Sequence, residues 1–357
     1  MILSELLKKD KNNIDMFRVI AACMVIWGHA YVLSPEDGKT DLISYLLPHD
    51  SSGSLAVKIF FFLSGLVVTN SLLINNDPVK FIVARFFRIW PALILTCIIV
   101  AVVIGPLLST LTVSEYFSAD NNILLYVINN TLLRTQFNLP GVFTTNPYPI
   151  SVNGSLWTIP YEVYAYALLL SLYFIGALKF KLFNIVFFVA ITIESLSSEK
   201  FIFTWAHSNS EVPILAVCFA FGSILALYKD VVNIDIYTPF ALLLAYYLLV
   251  GNDYALYLVY SSIFLFILYV SSTRAVLKLK PKFDISYGIY LWGFPVQQVI
   301  SQFFLTKGIL FNQCASLLLS IILGFLSWSL CEKHFIKLGS KVSMFLTKKT
   351  NVERPKT

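Results

Sequence analysis

The sequence predicts an all-α polytopic membrane protein with about ten transmembrane helices and both termini in the cytoplasm. Of its 357 residues, 57% are hydrophobic and 15% aromatic, only 13% are charged, and the mean hydropathy is +0.75. Soluble domains carry about 25% charged residues. A soluble fold, a disordered chain and a disulfide-rich secreted module are therefore excluded, and no nucleic-acid partner is expected.

Apolar runs divide the chain into candidate spans. A helix needs roughly 20 apolar residues to cross ~30 Å of hydrocarbon. Open sheets are excluded there, because their edges would leave backbone groups without hydrogen bonds in lipid. We therefore predict helices at the following segments: 17–34, 54–74, 89–108, 159–178, 182–198, 211–228, 236–251, 254–272, 285–305 and 311–331.

The distribution of Lys and Arg predicts the orientation of these spans. Cytoplasmic loops of membrane proteins are enriched in basic residues. If the N-terminus is cytoplasmic and the spans alternate, most of the 26 basic residues fall on the cytoplasmic side. The exceptions are Lys39, Arg134, Lys200 and Lys307 outside, and Lys58 within the second span.

Three regions are expected along the chain. Residues 1–16 form a basic cytoplasmic segment, 17–337 the membrane domain and 338–357 a basic cytoplasmic tail, with no soluble domain after it. The longest extramembrane stretch, 109–158, is expected outside. Its short apolar piece at 123–133 is typical of an interfacial or re-entrant helix.

Ionisable residues within apolar spans are costly and are candidates for function. Arg18 and His29 share the first span at a separation of eleven residues, so both project from one helix face, ~16 Å apart along the axis. Arg18 then lies at the cytoplasmic end of the span, where it either binds an anion or anchors the helix at the membrane surface. His29 lies beyond the middle of the membrane, where it either acts as a general base or makes an interhelical hydrogen bond.

Further charges lie near the ends of spans. Arg85 and Arg88 lie one turn apart and suit a multiply phosphorylated cytosolic ligand, although anionic headgroups are the alternative. Lys58 is expected to snorkel to the outer interface. Glu332, just after the last span, is expected to be a cytoplasmic surface charge paired with a nearby Lys or Arg.

The segment NGSLWTIPYE ends in an acid at the outer end of the fourth span. Asn153 or Ser155 can cap the helix, and Trp157 suits the interface. The sequence indicates no structural role for the Glu162 carboxylate. It either orients a histidine or accepts a hydrogen bond from a sugar hydroxyl, or else it is an exposed acid in a wet vestibule.

Several motifs, taken together, resemble membrane acyltransferase family 3, the integral-membrane O-acyltransferases of surface glycans. The most specific is a basic residue, a ten-residue gap and a histidine, met by Arg18 and His29. The resemblance runs from Ile14 to about Lys337 and fits the stand-alone form without a soluble hydrolase-like domain. Family members often carry a histidine where this chain has Gly293. The supporting motifs are FFFLSGLVV at 60–68, ARFFRIWP at 84–91, NGSLWTIPYEVYAY at 153–166, ISYGIYLWGFPV at 285–296 and the pair Glu332–Lys333.

This resemblance implies an O-acetyltransferase of the bacterial inner membrane. Acetyl-CoA would be the cytosolic donor, with no permanently bound cofactor. A cell-surface polysaccharide or its undecaprenyl-linked, O-antigen-like precursor would be the acceptor. The chain would complete the transfer itself or work with a separate periplasmic protein. The implied roles are catalysis for His29 and Glu162, CoA binding for Arg18, Arg85 and Arg88, and acceptor binding for Asn153, Ser155, Trp157, Ser286, Tyr287 and Tyr290.

The alternative is a transporter or flippase for a lipid-linked or amphiphilic substrate, because an Arg/His pair and an acid in a cavity also suit coupled transport. No internal repeat is evident, which weakens that interpretation. The five cysteines are scattered without metal-binding spacing, so no metal site is predicted. Binding of CoA distinguishes the enzyme from the flippase.

Overall fold

The computed structural model describes residues 1–47, 50–119, 122–204, 209–252 and 254–352. Within these ranges the regular secondary structure is helical, and β pairing is limited to the isolated bridges Ile2–Asn233 and Ser109–Val142. The all-α fold class is therefore confirmed.

The α-helices of the described ranges are α1 (Leu3–Leu6), α2 (Ile14–Leu33), α3 (Leu42–Leu46), α4 (Ser52–Asn75), α5 (Pro78–Ile99), α6 (Gly105–Leu108), α7 (Val113–Ser118), α8 (Asn122–Thr131), α9 (Ile159–Phe174), α10 (Lys181–Leu196), α11 (Glu211–Leu227), α12 (Tyr237–Leu249), α13 (Ala255–Ser271), α14 (Arg274–Leu277), α15 (Ser286–Phe304), α16 (Gly308–Ser327) and α17 (Lys333–Val352). Each predicted span overlaps at least one of them, and the third overlaps both α5 and α6. Most ends agree to within a few residues, and the third and tenth spans differ most.

The third span begins earlier than predicted. Asp77 caps α5 by accepting a hydrogen bond from the Lys80 amide at 2.9 Å, and Pro78 occupies the first turn. The helix then continues through a π-helical turn at Val100–Ile104 into α6. The prediction began at residue 89 because it followed the apolar run, and Lys80, Arg85 and Arg88 precede that run.

The tenth span continues past its predicted end. A π-helical turn at Trp328–Glu332 joins α16 to α17. The rings of Phe87 on α5 and Phe335 on α17 stack at 6.4 Å, and Thr347 Oγ1 donates to Asp77 Oδ2 at 3.1 Å. The predicted boundary between residues 337 and 338 therefore falls inside a helix that packs along α5.

In the described part of the chain, four helical stretches are long and apolar enough to cross a membrane: Ile14–Leu33, Ser52–Asn75, Pro78–Leu108 and Ile309–Thr347. Shorter apolar helices lie at Glu211–Leu227, Tyr237–Leu249 and Ala255–Ser271. This is the composition of a multi-pass membrane protein.

The chain forms two compact units, of which the first comprises Met1–Ile20, Val57–Ile74 and Tyr164–Lys282. In this unit α4 and α11 cross at Gly65 and Gly222. A Cβ at either position would overlap the backbone of the other helix. Small residues of this kind allow membrane helices to approach closely.

Lys58 lies in the interior of the first unit. Its side chain has 0% exposure, and its Nζ donates to Glu211 Oε2 at 2.7 Å, with the Tyr260 ring centroid at 5.4 Å. The prediction that Lys58 snorkels to the outer interface is wrong, because a carboxylate from α11 offsets the cost of burying the ammonium group.

The second unit comprises Ala21–Ala56, Asn75–Val163 and Phe283–Thr357. In this unit α15 and α16 approach at Gly288 and Gly324, where a Cβ on Gly288 would lie 2.8 Å from the Gly324 Cα. The unit contains most of the residues implicated by the sequence, including His29.

Candidate active site

His29 lies in α2 beside the first turn of α4. At this crossing a Cβ on Gly28 would lie 2.5 Å from the Gly53 amide nitrogen, so only glycine allows the approach. A Cβ on Gly53 would lie 3.8 Å from His29 Cδ2. The His29 side chain is half-buried, and its Nδ1 is buried with no hydrogen-bond partner among the described residues. The imidazole is therefore not held as a structural donor or acceptor through Nδ1.

Phe294 of α15 connects His29 to the segment before α9. Its ring makes an edge contact with His29, with centroids 5.2 Å apart and an interplanar angle of 79°. A Cβ on Gly154 would lie 2.6 Å from Phe294 Cε2, so glycine is required for this approach. Phe294 thus has His29 and the backbone of Gly154 as neighbours.

The residues on either side of Gly154 contribute buried oxygen atoms. Asn153 and Ser155 are each 1% exposed. Asn153 Nδ2 donates to the Leu291 carbonyl at 2.9 Å, which fixes the amide. Its Oδ1 and the Ser155 Oγ have no hydrogen-bond partner within the described ranges. Because unpaired buried polar atoms are costly, these two atoms are candidates for binding a ligand.

Tyr290 holds the start of α9 against α15. Its hydroxyl donates to the Ser155 carbonyl at 2.6 Å, and Thr158 Oγ1 lies 2.6 Å from Tyr290 Oη. Trp157 is half-buried with its ring 5.8 Å from that of Tyr161. Of the residues implied for the acceptor, the structure thus brings Asn153, Ser155 and Tyr290 together.

Arg88 lies between two carboxylates. Its guanidinium donates to Asp284 Oδ2 at 2.6 Å and to Glu332 Oε2 at 3.1 Å, and it lies 5.6 Å from the Tyr287 ring centroid. Ser286 Oγ donates to Asp284 Oδ1 at 2.6 Å. Ser286 and Tyr287 therefore surround an ion-pair cluster, and the Arg88 charge, expected to be available to phosphates, is already compensated.

The prediction that Glu332 is a surface charge is wrong. Its side chain is 1% exposed, and Oε1 accepts a hydrogen bond from Ser327 Oγ at 2.9 Å. The π-helical turn continues the helix beyond the last apolar residue. It places the carboxylate inside the second unit, towards Arg88.

The remaining charged candidates are half-buried. Arg85 precedes Arg88 by one turn of α5, and Glu162 lies in the first turn of α9. Arg18 lies on α2 in the first unit.

Comparison with known proteins identifies the family. Residues 11–331 match the model of the acyltransferase domain. The chain belongs to this acyltransferase family. It is 29% identical over 350 residues to an O-acetyl transferase of Shigella phage Sf6, covering 92% of this chain and 97% of that protein. It is also 30% identical over 166 residues to nodulation protein 10 of Rhizobium leguminosarum bv. viciae, covering 44% and 42% of the two chains. No solved structure matches significantly.

Sequence reasoning missed a buried amide network that joins α15 and α16 to the α2 segment in this acyltransferase. Gln297 Nε2 donates to the Ile26 carbonyl at 2.7 Å and to Asn312 Oδ1 at 3.1 Å. Asn312 Nδ2 in turn donates to Ser34 Oγ at 2.8 Å. Two adjacent glutamines within an apolar span, at 297 and 298, were the signal that could have revealed this network.

The structure also explains Gly293. A Cβ on this residue would lie 2.7 Å from Ile26 Cγ1, so a histidine there would require the Ile26 side chain of α2 to move. Among the described residues, no group of three His, Cys, Asp or Glu side chains is placed to hold a metal ion.

Proposed function

We propose that this acyltransferase is an O-acetyltransferase. It would move an acetyl group from cytosolic acetyl-CoA to a hydroxyl of a cell-surface polysaccharide or its lipid-linked precursor. The observation that carries the proposal is the half-buried His29, linked through Phe294 to the buried oxygen atoms of Asn153 and Ser155. The similarity to the phage O-acetyl transferase supports acetyl as the transferred group.

His29 acts as the general base in this proposal. The imidazole takes the proton from the acceptor hydroxyl as its oxygen attacks the thioester carbonyl carbon. When the tetrahedral intermediate collapses, the new C–O bond remains, the C–S bond breaks and the proton passes from the imidazolium to the departing thiolate. Asn153 Oδ1 and Ser155 Oγ accept hydrogen bonds from neighbouring sugar hydroxyls. Glu162 and Tyr290 belong to the same acceptor side.

The phosphates of CoA are assigned to arginine side chains. Guanidinium groups suit phosphates because they form forked, charge-assisted hydrogen bonds. Two carboxylates already compensate Arg88. The family resemblance implies contact with the phosphates for Arg18 and Arg85, and we keep those roles; Arg88, held by the two carboxylates, has the role of fixing α5.

The proposal includes an arrangement in the membrane. About ten helices span the bacterial inner membrane, both termini are cytoplasmic and the 109–158 segment lies outside. The donor then binds from the cytoplasm and the acceptor from the other side. The chain lies in the lipid bilayer and completes the transfer itself or passes the acetyl group to a periplasmic partner.

Binding of acetyl-CoA tests this proposal. Calorimetry of the purified protein in detergent should show saturable binding that weakens at least tenfold in Arg85→Ala. Binding should persist in His29→Ala. Arg274→Ala, which removes an exposed arginine of α14, is the matched control and should bind as the wild type does. No binding to a monodisperse wild-type protein would contradict the enzyme and favour the flippase.

A further inference from the structure

An exposed tyrosine contacts Phe294, the neighbour of His29, without being part of the site described so far. The Tyr148 ring makes an edge contact with Phe294, with centroids 6.1 Å apart and an interplanar angle of 76°. Phe294 in turn contacts His29 at 5.2 Å. Tyr148 is 43% exposed, so much of its side chain remains available to a ligand. Two ring contacts thus connect an accessible aromatic surface to the proposed base.

The backbone of Tyr148 is fixed by Gln298, a fully buried residue of α15. Gln298 Nε2 donates to the Tyr148 carbonyl at 2.8 Å and to the Ser151 carbonyl at 2.6 Å. Its Oε1 accepts from Asn146 Nδ2 at 2.7 Å. Because Phe294 and Gln298 are one helical turn apart, the same face of α15 holds both the ring and the backbone of Tyr148.

The loop that carries Tyr148 is strained. Phe143 has φ 54° and the β-branched Ile150 has φ 71°, in the left-handed region that such residues rarely adopt. The Ile150 amide donates to the Phe143 carbonyl at 3.2 Å, which closes the loop. Strain of this kind persists only where surrounding contacts enforce it, and it clusters at ligand sites. An interfacial tyrosine that only anchors the protein in lipid needs no such fixed backbone.

The geometry points to Tyr148 as the platform on which a pyranose ring of the acceptor stacks. This inference rests on the proposed function. The face of an aromatic ring is electron-rich, so it complements the C–H face of a pyranose. The sugar ring lies against Tyr148, its hydroxyls reach the unpaired oxygens of Asn153 and Ser155, and the reacting hydroxyl meets His29. The ligand class is therefore a pyranose-containing glycan.

Acetyl transfer to defined acceptors tests the inference. The protein in lipid nanodiscs receives radiolabelled acetyl-CoA and one of four acceptors. Three are the methyl pyranosides of glucose, galactose and rhamnose; the fourth is sorbitol, which has no ring face. Tyr148→Ala should raise the KM of the best pyranoside about tenfold. It should lower the preference for that pyranoside over sorbitol and leave the KM of acetyl-CoA unchanged.

Three comparisons make the result specific. Tyr148→Phe keeps the ring and should recover most of the lost affinity. Tyr148→Leu keeps apolar volume against Phe294 without a ring, and it replaces the Ala variant if that protein is not monodisperse. Tyr237→Ala removes a tyrosine that is 80% exposed at the start of α12, and should behave as wild type.

Two results overturn the inference and leave the proposed function standing: a pyranoside KM that is unchanged in Tyr148→Ala and Tyr148→Leu, or one that rises equally in Tyr237→Ala. If the wild-type protein acetylates none of the pyranosides, the proposed glycan acceptor is wrong. The inferred stacking of a pyranose on Tyr148 is then contradicted as well.

Discussion

His29 is the residue on which the proposed chemistry depends. A positioned general base contributes about 10²- to 10⁴-fold to a rate. His29→Ala should therefore lower kcat by that factor, with donor binding unchanged, in a transfer assay in detergent. His334→Ala removes an exposed histidine of α17 and is the control. If His29→Ala kept kcat within threefold of the wild-type value, the imidazole would have no part in the chemistry.

Arg88 should contribute to stability more than to donor binding. Removing one partner of a buried ion pair leaves an uncompensated charge and costs about 3–5 kcal/mol. Arg88→Ala should lower the unfolding temperature in detergent, and adding Glu332→Gln should recover part of that loss because the amide carries no charge. Arg274→Ala, which removes an exposed arginine of α14, should leave the unfolding temperature nearly unchanged. If the Arg88→Ala protein were stable but no longer bound the donor, Arg88 would instead be a ligand of the CoA phosphates.

The ion-pair partners of Lys58 and Glu332 could not be predicted from the sequence. The charges at Lys58 and Glu332 stood out as ionisable groups near apolar runs. Their partners, Glu211 and Arg88, are 153 and 244 residues away in the chain. Pairing across such distances depends on which helices pack together, and no periodicity of a single chain contains that information. Both residues were therefore assigned to surfaces.

At the scale of helices, the contact between α2 and α4 should tolerate an added methyl group at Gly53 but not at Gly28. A Cβ on Gly28 meets the Gly53 backbone nitrogen at 2.5 Å, whereas the nearest atoms to a Cβ on Gly53 lie at 3.8 Å. Gly28→Ala should therefore cost about 1–3 kcal/mol of stability and lower activity by displacing His29. Gly53→Ala should be neutral. Equal thermal stability of the two variants would contradict this packing.

Helix positions were predicted better than helix ends. Apolar runs identify helices because lipid leaves the backbone no other way to satisfy its hydrogen bonds. The π-helical turns at Val100–Ile104 and Trp328–Glu332 were not predicted, because their largely apolar sequences, VAVVI and WSLCE, carry no local signal that distinguishes π from α geometry. At the first turn, the Tyr116 hydroxyl donates to the Ala101 carbonyl at 2.7 Å, a tertiary contact that the local sequence does not reveal.

At the scale of the whole molecule, the orientation in the membrane is open to direct test. Single cysteines at Thr145 and Ser340, both exposed positions, are introduced into a variant whose native cysteines are replaced by alanine. With a membrane-impermeant maleimide, the cysteine at 145 should react in intact spheroplasts. The cysteine at 340 should react only after permeabilisation. Labelling of both in intact spheroplasts would contradict a cytoplasmic C-terminus.

The most direct test of the central claim is acetyl transfer across a membrane. Proteoliposomes are loaded with radiolabelled acetyl-CoA, a polysaccharide acceptor is supplied outside, and acetyl ester on the external glycan is measured. Wild-type protein should transfer label to the glycan while the donor stays enclosed, and His29→Ala should transfer almost none. Absence of external acetyl ester with wild-type protein inserted in the donor-facing orientation, both alone and with a periplasmic extract added outside, would contradict the account.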